Sequence, residues 1–86
     1  MSDAAYLRLE LDKAESAVDT IVNASKQIEE AISDIQGVLA LLGVSTGGTE
    51  ADSMFKLSET MKIGNDVQIN NAFSLRQLIW AFRPKL

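Results

Sequence analysis

Apolar and small residues recur in a strict alternation of three and four positions along residues 7–42. This spacing is a heptad repeat held for about five heptads, which is typical of a coiled-coil helix. We predict that residues 1–43 form an oligomerisation helix about 60 Å long, with the repeated residues as its interface. The a positions are Leu11, Val18, Ser25, Ile32 and Leu39, and the d positions are Leu7, Ala14, Ile21, Ile28, Ile35 and Leu42.

A helix of this length has no domain of its own to cover the apolar stripe, so we expect it to bind further copies of the chain. Isoleucine at d, with leucine or isoleucine at a, disfavours a parallel dimer and favours three or four helices. The sequence therefore predicts a trimer or tetramer, with parallel or antiparallel order left open. Ser25 interrupts the a series, where it either fixes the register or is simply tolerated.

Four further small or apolar residues widen this face, and we call them the g strip. Two arrangements would cover the strip: three or more long helices, or a second half of the chain that folds back onto it. Two glycines mark weak points of the helix. Gly37 lies at an outward position, and Gly43 is predicted to be the residue that ends the helix. The g strip consists of Ala17, Ala24, Ala31 and Val38.

The second half of the chain is predicted to be a glycine-rich linker at residues 44–51, followed by a small helical region at residues 52–86. Gly47 and Gly48 interrupt the helix within the linker. We predict one short helix over about 51–62, a turn at 64–66, and another short helix that begins near 67 or 70 and ends at 82. The fold class is therefore all-α, with a long N-terminal coiled-coil helix and two short helices in a homo-oligomeric bundle.

The last predicted helix presents an aromatic and basic stripe. Phe73, Arg76, Trp80 and Arg83 recur at helical spacing, and these residue types are enriched at binding hot spots. They form the candidate binding surface for a protein client. The alternative is that Phe73 and Trp80 pack on the g strip while the two arginines pair with acidic residues of the long helix.

Charge is uneven along the 86 residues, whose net charge is −4. Residues 1–43 carry eight acidic and three basic residues, whereas residues 44–86 carry four acidic and five basic ones. We expect the basic end, with Arg76, Arg83 and Lys85, to meet an acidic surface such as the first half of a neighbouring copy. The overall acidity argues against nucleic-acid binding, since the phosphate backbone requires neutralising cations.

The composition also limits chemistry and location. The chain has no histidine and no cysteine, so thiol chemistry, disulfides and histidine or cysteine metal sites are excluded. The longest apolar run, residues 38–42, is too short to cross a bilayer, and the acidic start lacks the features of a signal peptide. We therefore expect a cytoplasmic protein that binds neither membranes nor cofactors.

Two local patterns resemble catalytic or metal sites without carrying the chemistry. Ser53 and Lys56 match the S-x-x-K spacing of serine acyl-enzymes, but the further motifs and the large pocket of those enzymes are missing. Asp12, Glu15 and Asp19 share one helix face, where we interpret them as solvated carboxylates. We predict that the protein is not an enzyme.

Residues 35–44, in which a heptad run ends in an apolar segment bounded by glycines before a polar loop, resemble small tail-fibre assembly chaperones of tailed bacteriophages. Trp80 and the arginine-rich end depart from that family's pattern. The resemblance implies a non-enzymatic helper that keeps a fibrous client soluble while the client trimerises. We thus expect an assembly chaperone or scaffold of phage or mobile-element origin. The alternative is a small inhibitor that binds a host protein or sequesters an anionic small molecule.

Overall fold

In the computed structural model, which describes residues 3–86, the chain is an antiparallel pair of long helices joined by a tight turn. Helix α1 spans Asp3–Thr46 and helix α2 spans Thr49–Phe82. A 3₁₀ turn at Arg83–Lys85 follows α2. The hairpin is a rod of 68 × 14 × 13 Å. Residues 3–86 contain no strand, which confirms the all-α class.

The first helix passes through both glycines that the sequence marked as weak points. A glycine inside a helix costs only about 1 kcal/mol relative to alanine, which the packing of a long helix readily offsets. Gly43 therefore does not end α1. The end lies at Gly47, which adopts a left-handed φ of 60° and donates its backbone N–H to the Gly43 carbonyl at 2.9 Å. The connection is thus Gly47 and Gly48 alone, shorter than the linker predicted at residues 44–51.

The second half of the chain is one continuous helix, whereas two short helices with a turn at residues 64–66 were predicted. Gly64 lies in open space within α2, so it interrupts neither the helix nor its packing. Asn65 faces α1, and its side-chain amide donates to the Ser25 carbonyl at 2.8 Å. Burial against α1 on both sides of these residues overrides their local preference for a turn. Helix α2 ends at Phe82, two residues before Pro84.

The core of the hairpin is a narrow seam between the two helices. On α1 it uses the a positions and the neighbouring Val22. On α2 it uses five residues spaced seven apart, and four of them are small or polar, which allows the two backbones to approach closely. The second half therefore covers the a side of α1, and the g strip stays exposed, contrary to the arrangement in which the chain folds back onto that strip. The buried α2 residues are Ala51, Ser58, Asn65, Ala72 and Ile79.

Candidate interaction surfaces

The residues predicted as the oligomer interface fall into two sets in the hairpin. The a residues Val18, Ser25, Ile32 and Leu39 are buried by α2 of the same chain, and Leu11 packs against the edge of this core. The d residues lie beside this seam and are exposed. Ile28, for example, keeps 45% of its surface accessible. Only the d set of the predicted interface is therefore free to contact another molecule.

Helix α2 carries a matching exposed row. Counting Ala51 as an a position, its d positions follow three residues after each buried residue, and they are large and apolar except at the centre of the row. The two d rows contain no charged residue. We call both rows together with the g strip the apolar face of the hairpin. The d row of α2 consists of Met54, Met61, Gln68, Leu75 and Phe82.

Both d rows lie on the same side of the rod. At the open end, Leu7 and Ala14 of α1 line a shallow groove together with Phe82 of α2. At the loop end, Leu42 of α1 lines another groove together with Met54 of α2. The apolar face therefore runs along the whole length of the hairpin on one side.

The opposite side of the rod is polar and is held by ion pairs between the helices. Arg76 donates to Asp19 at 3.0 Å, and Arg83 donates to both Asp12 and Glu15, at 2.5 and 2.6 Å. Hydrogen bonds to Asp12 and then to Glu15 raise the pKa of the Arg83 guanidinium above its ordinary value. The acidic surface that the basic end meets is thus the first half of the same chain. These carboxylates are arginine partners rather than freely solvated groups.

The predicted client-binding residues form a compact patch on the polar side of the open end. The Arg76 guanidinium lies 5.0 Å from the ring centre of Phe73 and 5.3 Å from that of Trp80, within cation–π range. Phe73 packs against the hairpin core, whereas Trp80 is 51% exposed. Neither ring covers the g strip, but both arginines pair with acidic residues of α1, as the alternative interpretation expected for them. We call Phe73, Arg76, Trp80 and Arg83 the aromatic–arginine patch.

Polar side chains interrupt the seam near its middle. The hydroxyl of Ser25 is fully buried and has no hydrogen-bond partner within residues 3–86. Asn65 lies across from it and binds the Ser25 carbonyl. Closer to the loop, the Gln36 amide donates to Ser58 at 3.1 Å and to Glu59 at 2.5 Å. Such buried and partly buried polar groups lower stability and favour one alignment of the two helices.

The residues that could have suggested chemistry have structural partners or lie apart. Lys56 pairs with Asp52 at 3.1 Å, and Ser53 is exposed on the same helix, so the S-x-x-K match forms no enclosed site. Within residues 3–86 no group of three or more acidic side chains is placed to hold a metal ion. Neither described helix combines the length and hydropathy needed to cross a membrane.

Sequence reasoning missed the contact face of α2. Its buried residues are small or polar at four of five positions, so a search for large apolar residues passes over them. Their strict seven-residue spacing is the signal that could have found them. Comparison of the chain with protein-family models, curated proteins and solved structures gave no match.

Proposed function

We propose that this chain is a non-enzymatic, homo-oligomeric interaction protein whose copies join through the apolar face. The observation that carries the proposal is the pair of uncharged d rows exposed along the entire rod. Contiguous apolar surfaces of this kind mark sites of association in soluble proteins. The face is also periodic, so the partner that best fits it is another heptad helix pair.

The surface area of the hairpin supports association. A folded monomer of 9.4 kDa is expected to expose about 5,000 Å², whereas this chain exposes 6251 Å², about a quarter more. The radius of gyration, 19.5 Å, also exceeds the roughly 12 Å expected for a compact domain of this length. One long face of the rod measures roughly 900 Å², close to the 800 Å² that each partner of a stable complex buries.

The distribution of side-chain sizes supports the same proposal. Small residues of α2 face α1, whereas the larger Met54, Met61, Leu75 and Phe82 face outward. The seam within the hairpin therefore buries only a small part of the apolar side chains that the chain carries. Packing d rows of neighbouring copies together would supply the missing core, since burial of apolar area is the main driving force of association.

For the biological role, we propose an assembly chaperone or scaffold of phage or mobile-element origin. Two features favour this role over a purely structural one. The aromatic–arginine patch lies on the side opposite the apolar face, so it stays accessible when copies associate. Its Trp80 is half-exposed beside Arg76, and these two residue types are enriched at binding hot spots.

Association is tested by light scattering behind size exclusion at two protein concentrations. We expect an oligomer for the unaltered chain and dissociation for Ile28→Glu, which places a carboxylate in the d row of α1. Asn23→Glu is the matched control. It adds the same charge to the same helix at an exposed position that lies outside both the seam with α2 and the apolar face. If the unaltered chain stays monomeric at both concentrations, the proposal is contradicted.

The client surface needs a separate experiment, because it is independent of association. Purification from the native host, with mass spectrometry of bound proteins, identifies a client. Trp80→Ala should lose that client while keeping its helicity and oligomeric mass. A variant that simply unfolds would indicate that Trp80 serves stability instead.

The alternative function is an inhibitor that binds a host protein. The same exposed Trp80 beside Arg76 favours it. Sequestration of an anionic small molecule has less support, because Arg76 and Arg83 already pair with carboxylates of α1. A captured host enzyme that loses activity on binding would favour the inhibitor, whereas a captured fibrous protein would favour the chaperone.

A further inference from the structure

We propose that two copies pack apolar face to apolar face in antiparallel order, with their loops at opposite ends and Gln68 on the two-fold axis. The proposal rests on the homo-oligomeric function above and names its partner, number and orientation. In this four-helix bundle, each α1 contacts α1 of the second copy and each α2 contacts α2. The bundle satisfies the preference of the heptads for more than two helices with only two chains.

The d row of α1 is complementary to itself when reversed. Reversal about the point between residues 24 and 25 places Leu7 opposite Leu42 and Ile21 opposite Ile28 of the second copy. It also places Ala14, the small member of the row, opposite Ile35. Pairing a small residue with a large one keeps the layers evenly filled.

The d row of α2 is centred on its single polar residue. Reversal about Gln68 pairs Met54 with Phe82 and Met61 with Leu75, and Gln68 meets its own copy. A side-chain amide carries both donors and an acceptor, so two facing glutamines can bind each other reciprocally. The only polar interruption of the two d rows is thereby satisfied.

The two centres lie at the same height along the rod. Asn65 is hydrogen-bonded to the Ser25 carbonyl. Towards the open end, Arg76, about three turns beyond Asn65, reaches back to Asp19, almost two turns from Ser25. The centre of the α1 row, next to Ser25, is therefore within about one helical turn of Gln68. One axis perpendicular to the rod can thus relate both rows at once, which two rows with unrelated centres would not allow.

The competing symmetric arrangement places the axis along the rod, with both loops at one end and each α1 on α2 of the second copy. Gln68 would then face the apolar stretch around Ala24, where its amide finds no partner. The loop half of the hairpin, residues 25–67, has seven acidic and three basic residues, whereas the remaining residues are balanced at five each. Antiparallel order keeps the two acidic halves apart, which favours it electrostatically.

Disulfide cross-linking tests the orientation directly, because the natural chain has no cysteine. A disulfide requires Cα atoms within about 7 Å. Gln68→Cys alone should give a cross-linked dimer as its main product. Ala14→Cys and Ile35→Cys should each fail alone and should cross-link when the two variants are mixed. Asn23→Cys, on the outward side of α1, is the negative control, and circular dichroism confirms that each variant is folded.

The outcomes separate this proposal from the function on which it rests. Cross-linking of Gln68→Cys with Ala24→Cys and not with itself overturns the orientation and leaves the homo-oligomer in place. A trimer or tetramer by light scattering overturns the two-copy bundle and still supports the proposed function. A monomer at every concentration overturns both.

Discussion

Substitutions at two isoleucines one helical turn apart, Ile28 and Ile32, can distinguish the stability of the hairpin from the association of its copies. Ile32 lies at an a position and is 2% exposed, whereas Ile28 lies at a d position and is 45% exposed. Ile32→Ala removes atoms from the seam within one chain. Ile28→Ala removes atoms from the apolar face. We therefore expect the first change to act on folding and the second to act mainly on the affinity between copies.

The expected magnitudes follow from burial. A fully buried isoleucine changed to alanine costs about 2–5 kcal/mol, so we expect about 3 kcal/mol of unfolding free energy for Ile32→Ala. Burying a whole isoleucine contributes about 1.5–3 kcal/mol. The exposed 45% of Ile28 thus contributes about 1 kcal/mol for each copy on association. Two copies lose about 2 kcal/mol, which raises the dissociation constant about 30-fold.

Sedimentation across a range of concentrations gives the dissociation constants, and urea unfolding at low and high protein concentration gives the stabilities. Ile28→Ala should shift the unfolding midpoint more at high concentration than at low, because association stabilises the folded chain by mass action. Ile32→Ala should shift both midpoints. An unchanged dissociation constant for Ile28→Ala would refute the assignment of the apolar face as the interface.

Four further changes test other parts of the molecule. Gly37→Ala should raise the free energy of unfolding by about 0.5–1 kcal/mol, since its Cβ meets open space in α1. Gly47→Ala should lower it by about 1 kcal/mol, because of the left-handed φ at the turn; urea unfolding measures both. Gln68→Leu should tighten association, measured by the dissociation constant. It should also weaken the preference for antiparallel order, so that the cross-link between Ala14→Cys and Ile35→Cys is no longer the main product. Trp80→Ala should lose under about 1 kcal/mol with its contact to Arg76 and keep its oligomeric mass, checked by unfolding and light scattering.

The heptads of the first half could be predicted because apolar residues repeat there at nearly every a and d position, with Ser25 as the one polar exception. The heptad pattern could not show which side of α1 is covered by α2 and which side is left for another copy. The pattern of α1 marks the a and d residues alike as apolar, yet only the a residues meet α2. The partner residues Ser58, Asn65 and Ala72 are small or polar, so their burial depends on close approach of two helices rather than on their own hydropathy.

The continuous second helix was hidden for a related reason. Gly64, Asn65 and Asp66 are turn-forming residues when judged alone. In the hairpin, the side-chain amide of Asn65 donates a hydrogen bond to the Ser25 carbonyl instead of bonding to its own backbone. Local propensity is weak compared with the packing of 34 helical residues against a partner helix, so the tertiary contact decides.

The polar residues at mid-height explain why a repetitive hairpin adopts one register. The seven-residue spacing on both helices would allow α2 to slide by seven residues, with the a positions of the two helices still facing each other. Such a slip would move Asn65 from Ser25 to Ile32 or Val18, where a branched side chain would crowd its amide. The buried polar pair therefore costs stability but selects the alignment that also brings Gln68 level with the centre of the α1 row. Asn65 in the seam and Gln68 in the apolar face thus lie at the same height along the rod. The first selects the register of the two helices within one chain, and the second selects the orientation that we propose for two chains.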